Sequence, residues 1–521
     1  MRKTILIVII AIFTSTVINA ITTVTIDNID TWTSSQLKPY IGQTIQFTNP
    51  MYVTNNYSQN LTISPRRIYS PTNQAIPKSE AYYQLLQTNA QGTVTLYGVA
   101  DYHRIGEQML NLTVKVNSQN TLTFQSCQWY GNSRDDLEKG YDKTTLCQKG
   151  EPDIIVCTMN LEYYIVENLG TGYGPDNYNE HQKQRTKVSK ALATINADIY
   201  GFVEIEQGQS ALAEIAADLS QNTGRNFTYV DDGGSAYGSY TKAGFVYCSD
   251  KVRPKGTLRH NNTGVKNRKK TQAFTDIHSG ETFLLSVNHF KAKSGSASGD
   301  NTDAGDGQGK FNGDRKREAQ SVLENYKKDC VFYMDSDILI MGDLNAYAME
   351  DPITILRDGG MIDLHRAFHT DSSYSYVYHG EIGYLDHALC NQTLYPQVTG
   401  MVAYHINSDE HDRYTYDKSN DQTMFRCSDH DPIIVGLRLD STITFIPEMM
   451  IDKVQLYYSE QVPYIRNAEG GYYIIYQLDG RVVKQSTISS HEEAIWGLAQ
   501  GLYIINIYGQ GSCTQSKILV P

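Results

Sequence analysis

The sequence predicts a mixed α+β chain, with an α/β domain flanked by two all-β regions. Three observations carry this. In the middle, apolar strand-like runs at 153–159, 200–205, 282–289 and 338–342 alternate with helical patterns. Before it, short runs such as Thr44-Ile45-Gln46-Phe47 and Val94-Thr95-Leu96-Tyr97 alternate polar and apolar side chains between Pro, Gly and Asn turns. After it, 472–478, 481–485 and 502–508 return to the strand pattern, with Gly480 as a turn.

Taken in order, Arg2 and Lys3 precede an apolar run at 5–13 and small residues ending at Ala20, the pattern of a cleaved secretion signal. The run is too short for the roughly 20 residues of a membrane span, and no later segment is apolar enough, so no transmembrane segment is expected after signal cleavage. Residues 21–130 read as an all-β domain. Residues 131–152, rich in charge and turn formers, read as a linker. Residues 153–440 read as the α/β domain. Its helices are marked by Val188, Leu192 and Ile195, by Leu212, Ile215 and Leu219, and by Ala319, Val322, Leu323 and Tyr326. The Gly-, Ser- and Asp-rich stretch 293–313 reads as a mobile loop, and its Asp300, Asp303 and Asp306 lack calcium-loop spacing. Residues 445–521 read as a small β domain.

The charge balance restricts function. Lys and Arg total 45 against 57 Asp and Glu, a net charge of −12. That excludes coating nucleic acid by bulk positive charge, though not catalysis on it. Tyrosines number 38, against 14 Phe and 3 Trp; tyrosine suits half-wet strands and contact surfaces. The eight cysteines and the export signal permit disulfides, with Cys127–Cys147 and Cys390–Cys427 the favoured pairs. No CxxC spacing suggests zinc.

Chemistry is concentrated at strand ends of the α/β domain. Apolar strands run into Asn160, Glu204, Asn288-His289, Asp343-Leu344-Asn345, Asp386-His387 and Asp429-His430-Asp431. A polar tip on a buried strand gains nothing without partners. One tip is unremarkable, but six supply hard oxygen ligands for Mg²⁺ or Ca²⁺ and imidazoles able to move protons. Lys242, Lys291, Arg268, Arg315 and Arg317 are candidate phosphate contacts, and Glu206, Tyr347 and His387 are further candidates for the site. The only dense basic run is Lys266-Asn267-Arg268-Lys269-Lys270.

The motifs Met159-Asn160, Val203-Glu204-Ile205, Asn288-His289-Phe290-Lys291, Gly342-Asp343-Leu344-Asn345, Leu385-Asp386-His387 and Ser428-Asp429-His430-Asp431-Pro432, in this order, resemble the endonuclease/exonuclease/phosphatase superfamily, and in detail its secreted bacterial nucleases. The resemblance implies a four-layer α/β-β/α sandwich and a metal-dependent nuclease, endo- or exo-acting, that hydrolyses phosphodiester bonds of extracellular DNA, RNA being open. It implies Mg²⁺, with Mn²⁺ or Ca²⁺ as alternatives, held by Glu204 with Asn160 and Asp429. It makes His289, Asp343, Asn345, Asp386 and His430 catalytic. Asp343 activates water, Asn345 holds the phosphate, Asp386 fixes the His430 tautomer, and the two histidines contact the phosphate and act as acid and base. It makes Asn288, Lys291, Lys242, Arg268, Tyr347 and His387 substrate-binding. The superfamily alternatives are a phosphatase or phosphodiesterase acting on a lipid or sugar phosphate; a non-catalytic surface-binding protein is the rival from another class. The segment from Ile21 to about Phe124 resembles the OB-like domain of such nucleases. The tail, with Gly501-Leu502-Tyr503 and Lys517-Ile518-Leu519-Val520-Pro521, resembles a type IX secretion sorting domain. These imply a secreted or cell-surface protein of a gram-negative bacterium whose C-terminal domain engages the secretion machinery.

Overall fold

The computed structural model describes residues 21–56, 60–233, 240–260, 268–369, 372–439 and 455–520, except 460–461, 467–469, 491 and 510–511. The expected signal segment lies outside the described residues. The chain forms two compact units that divide between Ile443 and Thr444.

The first unit begins with strands β1 (Thr22–Val24), β2 (Thr44–Phe47), β3 (Met51–Asn55) and β4 (Leu61–Ser64), helices α1 (Pro71–Gln74) and α2 (Glu80–Gln91), and strands β5 (Val94–Tyr97), β6 (Gln108–Ser118) and β7 (Thr121–Tyr130). The sheet order is β1-β2-β6-β3-β4-β5-β7, and β7 pairs back onto β6, so five strands close a ring around Phe47, Val53, Ile63, Leu96 and Val114. One pair of that ring, β5 with β7, is parallel. The expectation of an all-β region is corrected by α2. Its start is set by Ser79, whose hydroxyl accepts the Tyr82 N–H at 3.2 Å, and Glu80 suits the positive end of the helix.

Residues 131–152 are not a linker. Helices α3 (Arg134–Leu137) and α4 (Lys143–Leu146) and the turn between them carry Leu146 and Tyr141 into the core of the following sandwich, and Arg134 Nε donates to Glu410 at 3.0 Å. Arg134 is spent on packed partners, while most of the other charges of the segment stay exposed.

Two six-stranded sheets follow. The first comprises β8 (Ile154–Tyr164), β9 (Ile199–Glu206), β10 (Phe227–Tyr229), β11 (Thr241–Cys248), and later β20 and β21. The second comprises β12 (Val252–His260), β13 (Lys269–Asp276), β14 (Thr282–Asn288), β15 (Ile338–Asp343), β16 (Ile362–Asp363) and β19 (Asp386–Cys390). Between them come the hairpin β17 (Tyr376–Tyr378) and β18 (Glu381–Gly383), and after them β20 (Val398–Ala403) and β21 (Ile433–Leu437). The orders are β10-β11-β9-β8-β21-β20 and β12-β13-β14-β15-β19-β16. The sheets face each other through one apolar core, Val156, Ile199 and Val203 against Phe274, Leu285, Leu339 and Met341. Each such side chain contributes roughly 1.5–3 kcal/mol when fully buried. Gly201 lets them approach: a Cβ there would lie 2.4 Å from Val287 Cγ2.

Helices α5 (Tyr178–Ile195) and α6 (Ser210–Thr223) cover the first sheet through Val188, Leu192, Ile215 and Leu219. Asn177 caps α5, accepting the Glu180 N–H at 3.1 Å, and left-handed Asn196 and Gly224 end the two helices. Helix α7 (Asn312–Tyr333) connects the parallel strands β14 and β15, and α8 (Asp351–Asp358) and α9 (Leu364–His369) follow. The chain is thus a mixed α/β fold with several sheets.

The loop 293–313 is exposed along most of its length but fastened at Asp306, Gln308 and Gly313, which are buried, and this differs from the expectation of a mobile loop. Arg315, fully buried, donates to the carbonyls of Gln308 (2.6 Å) and Lys310 (2.7 Å). Asp306 caps Gln308 N–H at 3.0 Å, and Arg317 pairs with Asp300 and Asp314. Composition marked the turns, and the arginines that fix them lie outside the stretch. The expected disulfides are absent: Cys127, Cys147, Cys390 and Cys427 are free thiols, Cys147 Sγ facing Glu151 at 3.3 Å and Cys427 Sγ facing Asn407 at 3.3 Å.

The second unit holds β22 (Gln455–Ser459), β23 (Val462–Arg466) and β26 (Glu492–Ala494) in one sheet, and β24 (Tyr472–Gln477), β25 (Val482–Thr487), β27 (Gly501–Gly509) and β28 (Ser512–Val520) in another. Ile475, Ile505, Ile507 and Ile518 centre its core. Among the described residues no helix is long and apolar enough to cross a membrane.

Candidate active site

Adjacent strands of the two sheets end together. Asp343, on the last residue of β15, is the hub. Its Oδ1 accepts the Asn345 N–H at 2.8 Å, and its Oδ2 accepts the amides of Asn160 and Asn345, both at 3.2 Å. His289 Nε2 stands 3.7 Å and His430 Nε2 3.9 Å from the same Oδ2. His289 Nε2 is also 3.6 Å from Glu204 Oε1. Asp386 Oδ2 accepts His430 Nδ1–H and the Ser375 hydroxyl, each at 2.7 Å, which fixes the ring and presents Nε2 to the cleft. Tyr376 lies on His430 at 4.6 Å between ring centres.

The backbone makes this convergence possible. Gly342, at φ +120°, passes so close to β14 that a Cβ would sit 2.1 Å from Asn288 O. Glu204 and Asn345 occupy the left-handed region at φ +57° and +49°, conformations costly for non-glycine residues and concentrated at functional sites. Asp431 holds the turn bearing Asp429 and His430, its carboxylate accepting N–H groups of Asn407 (2.9 Å) and Ser408 (3.0 Å).

The electrostatics separate the two histidines. Burial, with Arg268 and His430 nearby, holds His289 well below the usual histidine range, so it is neutral. Burial opposes charging of His430 too, but Asp386, Asp429 and Asp343 override it, raising it well above that range. A neutral and a protonated imidazole thus flank one carboxylate, the arrangement of a base and an acid. Burial raises Glu204 to about 7, aided by Asp429 and Asp343, and burial raises Asp343 to about 7. Buried like charges of this kind fit a hard divalent cation. Asp343, Asp386 and His430 offer ligand atoms within 4.8 Å of one another. Within that group Asp386 Oδ2 is already bonded to His430 Nδ1 and Ser375 Oγ.

The other residues expected at the substrate are placed as follows. Asn288 is fully buried, its amide given to Ser286 O and Oγ at 3.1 Å. His387 is fully buried with Nε2 on Ala346 O at 2.8 Å, and burial lowers it to about 3; it braces the turn after Asp343. Tyr347 is buried beneath Gly383, with Lys293 Nζ 4.6 Å above its ring. Lys242 Nζ pairs with buried Asp232 at 2.8 Å, as does Lys270. Arg315 and Arg317 fasten the 293–313 loop. Lys291 Nζ donates to Ala292 O and Ser294 O at 3.2 Å and sits 4.0 Å over Phe311. Glu206 accepts the N–H groups of Val166 (2.7 Å), Glu167 (2.9 Å) and Asn168 (2.8 Å), which anchors a loop rather than a ligand. Arg268 is close enough to His289 to act on its charge, and its Nε is buried without a hydrogen-bond partner.

Four residues escaped sequence reasoning: Ser375, Tyr376, Glu162 and Arg426. Glu162 is held beside Asp429 and Glu204, its Oε2 without a partner. Only Arg426, two residues before Ser428-Asp429-His430, carried a signal, as a cation beside an acidic strand tip.

No family model and no curated protein matches the sequence. Solved structures do match in part. An endonuclease/exonuclease/phosphatase from Bacteroides vulgatus is 15% identical, with 55% of this chain and 99% of that chain covered at a TM-score of 0.37. The human Nocturnin catalytic domain with bound sulfate is 13% identical, covering 55% and 94% at 0.37. A D. rerio TDP2 complexed with single-strand DNA product is 14% identical, covering 55% and 99% at 0.36.

Proposed function

We propose that this chain is a secreted, divalent-cation-dependent nuclease that hydrolyses phosphodiester bonds of extracellular nucleic acid, DNA foremost. One observation carries the reading: the imidazoles of His289 and His430 face the same Asp343 carboxylate, at 3.7 and 3.9 Å, beside the half-buried Glu204, with His289 held below and His430 above the usual histidine range. Glu204 and Asp429 would hold the cation, Mg²⁺ or in its place Mn²⁺ or Ca²⁺, which when bound supplies positive charge to the phosphoryl oxygens. His289 and Asp343 are placed to orient water and take its proton; His430, held by Asp386, is placed to give a proton to the leaving oxygen. Asn160 and Asn345 hold Asp343 in register.

Supporting the wider reading, the closed ring β3-β4-β5-β7-β6 with its one parallel pair has the strand order of an OB barrel. The polar 293–313 loop lacks the apolar side chains that a membrane-touching loop would need. Export and sorting through the C-terminal β-sandwich remain part of the proposal.

The test is a digestion panel. Circular DNA, linear DNA, RNA and sphingomyelin are incubated with the protein, with and without chelator. Chelator-sensitive cleavage of nucleic acid is expected; cleavage in metal-free buffer, or of sphingomyelin alone, overturns it.

A further inference from the structure

Next to the catalytic groups lies a cavity of about 350 Å³ whose walls come from both parts of the first unit: Asn55, Asn56 and Ile105 of the barrel, and Tyr376, Arg426 and Asp429 of the sandwich. The seam is fixed. Ile105 N–H and Asn56 Nδ2 both donate to Asp409 O, at 2.9 and 3.1 Å, and Gly380 packs so closely on Asn55 that a Cβ there would meet its Cβ at 2.9 Å. Asp429 joins the cavity to the reacting groups, and Tyr376 closes that end by lying on His430. Tyr378, 58% exposed, lines it too.

The charges of this cavity are unequally committed. Of its three acids, Glu410 is bound by Arg104 and Arg134, Asp412 by Lys418 at 3.1 Å, and Asp429 is the one turned to the reacting groups. Arg426 is different. Among the described residues no carboxylate lies within ion-pair distance of it. Its Nε is buried without a hydrogen-bond partner, and Nη1 has one long bond, 3.3 Å to Asn407 O. Its backbone sits at φ +56°, a conformation that costs free energy for arginine. A guanidinium with no ion pair, near enough to Glu162 to favour its ionised form but not to bond it, at the wall of a nucleotide-sized cavity with two tyrosines, is the chemistry of a phosphate and a base.

We infer that this cleft between barrel and sandwich binds the nucleotide adjoining the scissile phosphate of a single nucleic-acid strand, with Arg426 on the flanking phosphate and Tyr376 and Tyr378 against the base. The inference rests on the proposed hydrolase reading and deepens it: the N-terminal barrel forms part of the substrate site, and the substrate extends beyond the reacting diester. A mononucleotide-sized or sugar phosphate would leave Arg426 unpaired.

The test compares a fluorogenic single-stranded oligonucleotide with bis(p-nitrophenyl) phosphate, which has no flanking phosphate, as substrates of the full chain and its Arg426→Gln and Tyr378→Ala variants. Tyr378 is exposed, so its variant folds even where Arg426→Gln does not. The expected result is a KM for the oligonucleotide raised about 10- to 100-fold by loss of the Arg426 contact. The drop in kcat/KM is expected to be at least tenfold larger on the oligonucleotide than on the small diester. The slope of log(kcat/KM) against log salt should shrink by about 0.7 for Arg426→Gln. Equal losses on both substrates, or an unchanged oligonucleotide KM and salt slope in both folded variants, overturn the inference. A wild-type protein inactive on both substrates overturns the hydrolase reading instead. The cleft is then judged by anisotropy of the labelled oligonucleotide: weaker binding and a shallower slope in the variants support it, and identical curves overturn it.

Discussion

Replacing Asp386 by Asn tests how the site assigns its protons. Asp386 Oδ2 accepts two bonds at 2.7 Å, from His430 Nδ1 and from Ser375 Oγ. Asn is isosteric, so packing survives, but the charge that favours imidazolium is gone, and an amide nitrogen turned toward Nδ1 selects the wrong tautomer. A hydrogen bond to a charged group is worth about 1.5–3 kcal/mol, or roughly 10- to 150-fold in rate. Tautomer reversal enlarges the loss to about 10³–10⁴-fold in comparable His–Asp pairs. The sign of the pH effect follows from His430 acting protonated. Its titration point, raised by Asp386, Asp429 and Asp343 against the pull of burial, sets the alkaline limb, so removing one of those charges moves that limb to lower pH. The assay is a pH profile of kcat/KM on linear DNA at saturating Mg²⁺, with circular dichroism as the folding control. A folded variant with less than threefold loss and an unmoved alkaline limb would refute the acid role of His430.

Three further outcomes follow from the geometry. Gly342→Ala should destabilise the first unit by about 3 kcal/mol or more, since φ is +120° and the added Cβ meets Asn288 O at 2.1 Å; a thermal melt unchanged from wild type would contradict this. Glu204→Gln should remove activity with little change in melting. Glu206→Gln should instead lower stability by about 1–3 kcal/mol, because its carboxylate accepts the N–H groups of residues 166–168, and leave measurable turnover; the reverse pattern would show the two acids misassigned. In metal-free buffer the native state holds protons on Glu204 and Asp343 up to about pH 7, above their unfolded values, so the stability they lend is full in acid and lost as pH rises through 7. Adding Mn²⁺ should therefore raise the melting temperature more at pH 8 than at pH 5; equal shifts would deny that these carboxylates hold the ion.

The strand tips were legible because a buried strand ending in Asn, Asp or His is chemically conspicuous, and the helices of the sandwich because Val188, Leu192 and Ile195 repeat at the helical period. Within each tip, sequence adjacency hid the facing. Neighbouring residues on a strand point to opposite sides, so His289 reaches Asp343 while Asn288 turns to Ser286, and Asp386 reaches His430 while His387 turns to Ala346. Cations deceived for another reason. Lys242 and Arg315 looked free, yet Asp232 and the carbonyls of Gln308 and Lys310, brought in by folding, consume them. The ordering of 293–313 and of 131–152 depends on distant partners that no local composition reveals. Glu204 and Asn345 sit in left-handed backbone that neither residue announces.

The central claim is that Glu204 and Asp429, at the strand ends of the first sheet, grip a cation beside a phosphorus centre that histidines of both sheets face. It is tested most directly by an anomalous-difference map from crystals grown with Mn²⁺ and a short oligonucleotide. The account predicts a metal peak within coordination distance of Glu204 and Asp429, with the nearest phosphorus bordered by His289 and His430. A peak on any other cluster, or nucleic acid seated on a face that lacks both histidines, would contradict it.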